Sequence, residues 1–205
     1  MLNISNKYLQ FLIKGILAGI FIGIGGMVFL SSPSKIIGSI LFAVGLFTIL
    51  NFKLNLFTGK LCYVVEKKNY IEVLLTLLGN IIGTFVFAWC MIIAKGGVQQ
   101  VAITMCENKL ALDWWEVIIL GFFCNVLIYL AVHGFNNFEN PINKFFAVIF
   151  GVVVFIMCGF EHSIADMFYF FSAQSYSLQS LLFIFLVALG NLGGGIFAHA
   201  VLGGK

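Results

Sequence analysis

The chain has 205 residues, of which 61% are hydrophobic and only 9% are charged. A soluble domain usually carries about a quarter charged residues, so this composition excludes an ordinary water-soluble globule. All 11 basic residues are lysines and the formal net charge is only +3, which excludes a basic surface for nucleic acid. The composition therefore predicts a protein that is embedded in a lipid bilayer.

Apolar runs long enough to cross a bilayer, which takes about 20 residues, recur along the chain. The sequence predicts one domain over residues 1–205 with six transmembrane segments: Leu9–Leu30, Ile36–Val65, Ile71–Ala94, Trp115–Val132, Ile142–Phe171 and Leu178–Leu202. The second and fifth segments are longer than one span needs, and polar residues interrupt both. Such groups are tolerated at membrane depth where protein or a water-filled cavity surrounds them. Both segments are therefore predicted to be broken helices that face a pore.

The two interruptions fall in corresponding places of the two halves of the chain. The first contains Thr58-Gly59-Lys60 and the second contains Glu161-His162-Ser163. The next segment of each half carries a Gly-Asn motif, Gly79-Asn80-Ile81-Ile82-Gly83 and Gly190-Asn191-Leu192-Gly193-Gly194. Because each half has an odd number of segments, the second half enters the membrane from the opposite side. The pattern predicts an all-α membrane protein with an inverted 3+3 repeat and broken helices 2 and 5.

The distribution of lysines predicts the orientation of the chain. An arrangement with the N-terminus inside leaves Lys35, Lys95 and Lys109 on the outer side. It puts a larger group on the cytoplasmic side: Lys7, Lys14, Lys60, Lys67, Lys68, Lys144 and Lys205. This satisfies the positive-inside bias, so both termini are expected in the cytoplasm.

A histidine near the bilayer midplane is the sharpest functional signal in the sequence. Such a group is costly there and is kept for function or for pairing, so the alternative for His162 is a buried histidine that bonds a neighbouring helix. Its neighbours Glu161 and Asp166 are interpreted as structural groups that fix the broken backbone or cap the next helix, because no second carboxylate cluster or nucleophile accompanies them. His133 and His199 match no motif, and we interpret them as structural.

The stretch Gly159-Phe160-Glu161-His162-Ser163-Ile164-Ala165-Asp166-Met167-Phe168 resembles the signature of the formate/nitrite transporter family. Leu56-Phe57-Thr58-Gly59, the two Gly-Asn motifs and Asn125 match further positions of that family in the right order. The resemblance runs from about Lys14 to His199. It implies a homopentameric channel with an aquaporin-like protomer, which carries formate, nitrite or hydrosulfide across the prokaryotic cytoplasmic membrane.

The resemblance also implies roles for individual residues. The pore or substrate-binding residues would be His162, Thr58, Asn125, Asn191, Lys109 and Lys144. The constrictions would be formed by Leu46, Leu56 and Phe57 on the cytoplasmic side and by Phe42 and Phe155 on the outer side. The two lysines would draw anions into the vestibules, and the histidine could hold a proton, donate a hydrogen bond or pass the proton on. Channel-like and proton-coupled transport both stay open.

Lys53 departs from the family pattern, because a small or apolar residue is expected in this interrupted part of the second segment. One hypothesis is that its ammonium group adds positive charge to the inner approach of the pore and favours anions. The other is that the side chain extends to the cytoplasmic interface. The sequence does not separate these hypotheses.

Two other classes of function were weighed against an anion pore. An aquaporin-like channel for small neutral solutes would need paired Asn-Pro-Ala motifs and a constriction arginine, but the chain has no arginine, and its two prolines, Pro33 and Pro141, lie in no such motif. An enzyme would need a nucleophile with a partner base or a metal pair, which the sequence does not offer. We therefore expect no enzyme activity, no cofactor, no metal and no nucleic-acid partner.

Overall fold

The computed structural model describes residues 6–94 and 97–203, and these residues form an all-helical structure. Its helices are α1 (Lys7–Ser31), α2 (Lys35–Asn51), α3 (Phe57–Leu61), α4 (Val64–Lys67), α5 (Tyr70–Ala94), α6 (Gly97–Leu110), α7 (Trp114–Asn137), α8 (Pro141–Met157), α9 (Ser163–Ser172) and α10 (Leu178–Leu202). Lys95 and Lys205, which entered the orientation argument, lie outside the described residues.

Four helices, α1, α5, α7 and α10, are long and apolar enough to cross a membrane. At 1.5 Å per residue, their 24 or 25 residues reach beyond the roughly 30 Å of a hydrocarbon core. The apolar helices α2 and α8 have 17 residues each, which gives only about 26 Å. The second predicted segment is divided among α2, α3 and α4, and the fifth is divided between α8 and α9.

The boundaries of the four long helices lie close to the predicted ones, except that α7 continues beyond Val132 to Asn137. The helix α6 lies in the link between the third and fourth predicted segments, for which no helix was predicted. Side chains cap several helix starts: Asn6 before α1, Ser34 before α2, Asn140 before α8 and Ser177 before α10 each accept a backbone N–H.

Two helix pairs pack most extensively, α1 with α5 and α7 with α10. Glycines allow this close approach, because a Cβ atom added to Gly79 would lie 2.9 Å from the Cα of Gly15 on α1. In the second pair, a Cβ atom added to Gly190 would lie 3.0 Å from the Cα of Gly121 on α7. Small residues at such contacts are typical of membrane helices. Each approach brings a backbone carbonyl of the first helix within reach of the asparagine that follows the glycine.

Candidate functional site

The asparagine of the first Gly-Asn motif holds the break between α2 and α3. The side chain of Asn80 donates to the carbonyl oxygens of Gly15, at 2.8 Å, and Asn55, at 3.0 Å. Its Oδ1 atom accepts the N–H of Phe57 at 2.9 Å. Asn80 is fully buried, so these bonds satisfy backbone groups that water does not reach.

The asparagine of the second motif holds the break between α8 and α9 in the same way. The side chain of Asn191 donates to the carbonyl oxygens of Gly121, at 2.8 Å, and Glu161, at 3.0 Å. Its Oδ1 atom accepts the N–H of Ser163 at 3.0 Å. Three backbone groups are thus bound by one buried amide in each half, and the helix breaks are fixed by side chains rather than left open.

His162 lies at the start of α9 and is almost completely buried. Its Nδ1 atom is 3.2 Å from the backbone nitrogen of Ala165 and accepts that N–H. The neutral ring must then carry its proton on Nε2, which lies 2.9 Å from Oγ1 of Thr58 and donates to it. The Thr58 hydroxyl therefore keeps its own proton for a further acceptor.

Asn125 on α7 joins α3 to α10. Its Nδ2 atom lies 3.2 Å from the carbonyl oxygen of Thr58 and 2.6 Å from that of Asn191. Its Oδ1 atom is buried and has no hydrogen-bond partner among the described residues. A buried acceptor of this kind is costly to leave unpaired, so this amide is a polar group with spare capacity beside the histidine–threonine pair.

Aromatic rings lie beside the pair formed by His162 and Thr58. The rings of Phe42 and Phe155 meet edge to face with centroids 6.0 Å apart, and the ring of Phe155 stacks on His162 at 5.8 Å. Leu46 and Leu56 are also buried. Phe42, Leu46, Leu56 and Phe155 are thus apolar and buried, and we call these four side chains the barrier.

A cavity of about 530 Å³ has Phe155 and His162 in its wall, and we call it the Lys109 cavity. Its wall includes Lys35, Lys109, Phe155, Glu161, His162 and Asp166. Lys109, on α6, bonds to the carboxylate of Glu161 and lies 3.0 Å from Oδ1 of Asp166. The rings of Tyr169 and Phe183 lie 5.7 Å and 6.0 Å from its Nζ atom.

Burial lowers the pKa of Lys109, but the carboxylates of Asp166 and Glu161 outweigh this effect and hold the pKa above its usual value. The ammonium group is therefore charged and shared between two acids. The interpretation of these acids as backbone or capping groups was incomplete, because both acids are bound to the lysine. The signal that could have indicated this contact is the spacing of Glu161 and Asp166, five residues apart around the start of α9, together with Lys109 near the end of α6.

A second cavity, of about 280 Å³, has Leu46 and Leu56 in its wall, and we call it the Lys53 cavity. Its wall includes Leu46, Lys53, Leu56, Lys60, Lys67 and Asn136. Drawn from the described residues, this wall holds three lysines and no carboxylate. Lys53 is exposed and adopts a positive φ of 51°, a conformation that a lysine rarely takes.

Of the eleven residues that the resemblance singled out, five line a cavity: Leu46 and Leu56 in the Lys53 cavity, and Lys109, Phe155 and His162 in the Lys109 cavity. The other six line neither cavity: Phe42, Phe57, Thr58, Asn125, Lys144 and Asn191. Asn191 is fully buried, and its side-chain amide binds backbone groups at the break between α8 and α9 and does not line a cavity. Phe57 lines neither cavity and takes part through its backbone N–H. Lys144 also lines neither cavity, and its Nζ atom lies 5.8 Å from the ring of Phe135. Lysines on α3, on α4 and in the first break line the cavity instead.

Comparison with curated proteins finds relatives at low identity along most of the chain. The chain is 27% identical over 180 residues to formate channel FocA of Escherichia coli (strain K12), covering 75% of this chain and 62% of that protein. It is 27% identical to formate-nitrite transporter 2 of Toxoplasma gondii, with 91% and 48% covered. A probable formate transporter of Methanothermobacter thermautotrophicus is 26% identical, with 97% and 84% covered. The chain thus matches about three fifths of FocA's length.

Solved structures show the same fold. A pentameric formate channel with formate bound superposes with a TM-score of 0.79 at 22% identity, covering 94% of this chain and 95% of the other. An ion channel of the same family gives a TM-score of 0.77 at 21% identity, with 92% and 85% covered. The sequence profile described as formate/nitrite transporter matches residues 2–203. With nearly every residue inside that match, the chain belongs to the formate/nitrite transporter family.

Proposed function

We propose that this chain is a pore for small monovalent anions of weak acids: formate, nitrite or hydrosulfide. The anion would pass between the Lys53 cavity and the Lys109 cavity by way of His162 and Thr58. The observation that carries the proposal is the hydrogen bond of 2.9 Å between these two buried side chains, with His162 in the wall of one lysine-lined cavity and Leu46 and Leu56 in the wall of the other. The barrier would lie between the two cavities.

The chemistry of the barrier favours passage of a neutralised anion. A bare anion loses far more hydration free energy in an apolar ring than a few hydrogen bonds return. Lysines in each cavity attract the anion, and the lower dielectric near the barrier makes it easier to protonate. The Thr58 hydroxyl and the Nε2–H of His162 then offer donors to the oxygen or sulfur of the permeating species. The N-terminus of the ten-residue helix α9 adds the positive end of its dipole.

The proposed architecture is six spans arranged as an inverted 3+3 repeat. In this arrangement, α2 with α3, and α8 with α9, act as the broken second and fifth spans. The equivalent bonds of Asn80 and Asn191 support the repeat, since each amide joins the first helix of its half to the break. With both termini in the cytoplasm, the Lys53 cavity faces the cytoplasm and the Lys109 cavity faces outward.

We further propose a homopentamer in a prokaryotic cytoplasmic membrane. The described chain exposes large apolar side chains on its helices, such as Leu74, Ile93 and Phe185, which lipid or neighbouring protomers would cover. The similar solved structure is described as pentameric, which supports this assembly. Each protomer would carry its own pore, because both cavities lie within one chain.

The test is transport by the purified protein in liposomes that contain a pH dye. Formate, nitrite and hydrosulfide are added outside in turn, and water and glycerol permeation are followed by light scattering. We expect at least one anion to enter faster than in empty liposomes, with a change of internal pH. Permeation of water or glycerol without any anion would contradict the proposal and favour a neutral-solute channel.

A further inference from the structure

The Lys109 cavity contains a group that the proposed transport path does not use. Asp166, in the first turn of α9, is only 1% exposed, and its Oδ1 atom binds Lys109. Its Oδ2 atom is buried and has no hydrogen-bond partner among the described residues, although the side chain lines the cavity. A carboxylate oxygen without a donor is costly, so this atom is a natural position for a proton.

The charges around Lys109 do not balance when both acids are ionised. One ammonium group serves two carboxylates, Glu161 and Asp166, which leaves one negative charge in a largely buried cluster. Uptake of one proton by the pair of acids removes that charge. Lys35 also lines this cavity, where its Nζ atom donates to the carbonyl oxygen of Met157 at 3.2 Å. The cavity wall is therefore neutral without the proton and carries one positive charge with it.

Several helices place further groups near the cluster of Lys109, Glu161 and Asp166. Titratable side chains close enough to interact with it are Cys106 on α6, Cys124 on α7, and His162 and Tyr169 on α9. Of the neighbouring helices, α1 contributes Phe29 to the cavity wall, α5 packs Phe87 on Phe168 of α9, and α10 places Phe183 beside Lys109, and these side chains carry no charge. The α3 helix contributes Thr58 through His162. Within the described residues, the two acids are the anionic groups of this wall.

We propose that Asp166 makes access of the anion from the outer side depend on a proton. While both acids are ionised, the Lys109 cavity has no net charge to attract an anion. When the pair of acids binds one proton, the cavity becomes positive and anion access increases. This inference rests on the proposed function, because it assigns Asp166 control of anion access to the same transport path.

The test measures inward flux of formate and nitrite at external pH values from about 8 to about 5 in wild type and Asp166→Asn. At each pH the flux of the variant is divided by the flux of the wild type. This ratio cancels the pH-dependent protonation of formate or nitrite itself. We expect a ratio of about ten near pH 8 that falls towards one near pH 5, because the variant keeps the positive cavity at every pH. Asp166→Glu keeps the carboxyl group and is expected to retain the wild-type profile.

The matched control is Asp113→Asn, which removes a carboxylate at the N-cap of α7, where asparagine caps equally well. Its ratio should stay near one throughout. Glu161→Gln removes the other acid, and its flux should also lose its steep pH dependence. Should neither variant assemble, the infrared spectrum of the wild type decides, since acidification must produce the band of a buried protonated carboxyl group.

Parallel pH profiles for wild type and Asp166→Asn, with both moving formate, would overturn the role of Asp166 and leave the proposed function intact. Absence of the protonated-carboxyl band would overturn it as well. Failure of every anion to move in the wild type would instead overturn the proposed function. The two failures are therefore distinguishable in one set of liposomes.

Discussion

The two helix breaks are alike in their support and unlike in what they present. Asn80 and Asn191 each bind two carbonyl oxygens and one N–H with nearly the same distances. The adjoining cavities differ, because three lysines line the Lys53 cavity whereas two lysines and two acids line the Lys109 cavity. The comparison teaches that the two asparagines bind the backbone in the same way, whereas the walls of the adjoining cavities differ in charge.

The largest expected effect tests whether Asn80 and Asn191 support the two helix breaks equally. Asn80→Ala and Asn191→Ala each remove a hydrogen bond from three backbone groups, which is expected to lower the free energy of unfolding by about 3 kcal/mol or more. Thermal unfolding and the yield of assembled protein measure this. Asn51→Ala is the control, because Asn51 is exposed and its amide binds only its own helix at Phe47. A large loss for one asparagine and none for the other would break the equivalence.

The close packing of α7 with α10 gives the next largest effect. A methyl group added in Gly194→Ala would overlap the carbonyl oxygen of Phe122, so the helices must separate, and we expect destabilisation of about 2 kcal/mol. Gly193→Ala, on the same helix, places its methyl group 3.5 Å from the Phe122 side chain and should be tolerated. Thermal unfolding of both variants decides, and equal stability would refute the packing argument.

The next prediction concerns the hydrogen bond between Thr58 and His162. Thr58→Val keeps the shape of the side chain but removes the hydroxyl group that accepts from His162. We expect anion flux to fall by about tenfold while assembly is retained. Thr84→Val is the control, since the Thr84 hydroxyl binds only carbonyls of its own helix. Unchanged flux in Thr58→Val would remove this hydroxyl from the transport path.

The smallest expected effect concerns the charge of the Lys53 cavity. Lys53→Met removes one of three exposed or partly exposed ammonium groups and should lower anion flux by about threefold, with less effect at high salt. Lys68→Met is matched to it, because Lys68 is also exposed with a positive φ, 49°, but does not line the cavity. Equal flux in both variants would favour the hypothesis that Lys53 only extends to the interface.

Much of the helical arrangement could be predicted from the sequence, because it depends on the length of the apolar runs and on the spacing of the glycines. The four long helices follow from their apolar runs, and the two Gly-Asn motifs indicated related positions. The bonds of Asn191 were not accessible, since an asparagine can face a pore or bind backbone and the sequence pattern is the same. Polar residues interrupt the apolar ones in the helix α6, so its position and the contact of Lys109 with Asp166 depend on tertiary packing.

The central claim is that the anion passes the barrier at His162, and His162→Phe tests it most directly. Phenylalanine can keep the stacking on Phe155 while removing both ring nitrogens. His133→Phe is the matched control, because His133 stacks on Tyr129 away from both cavities. We expect anion flux, or the proton movement coupled to it, to collapse in assembled His162→Phe and to persist in His133→Phe. Wild-type anion flux and proton movement in His162→Phe would contradict the account.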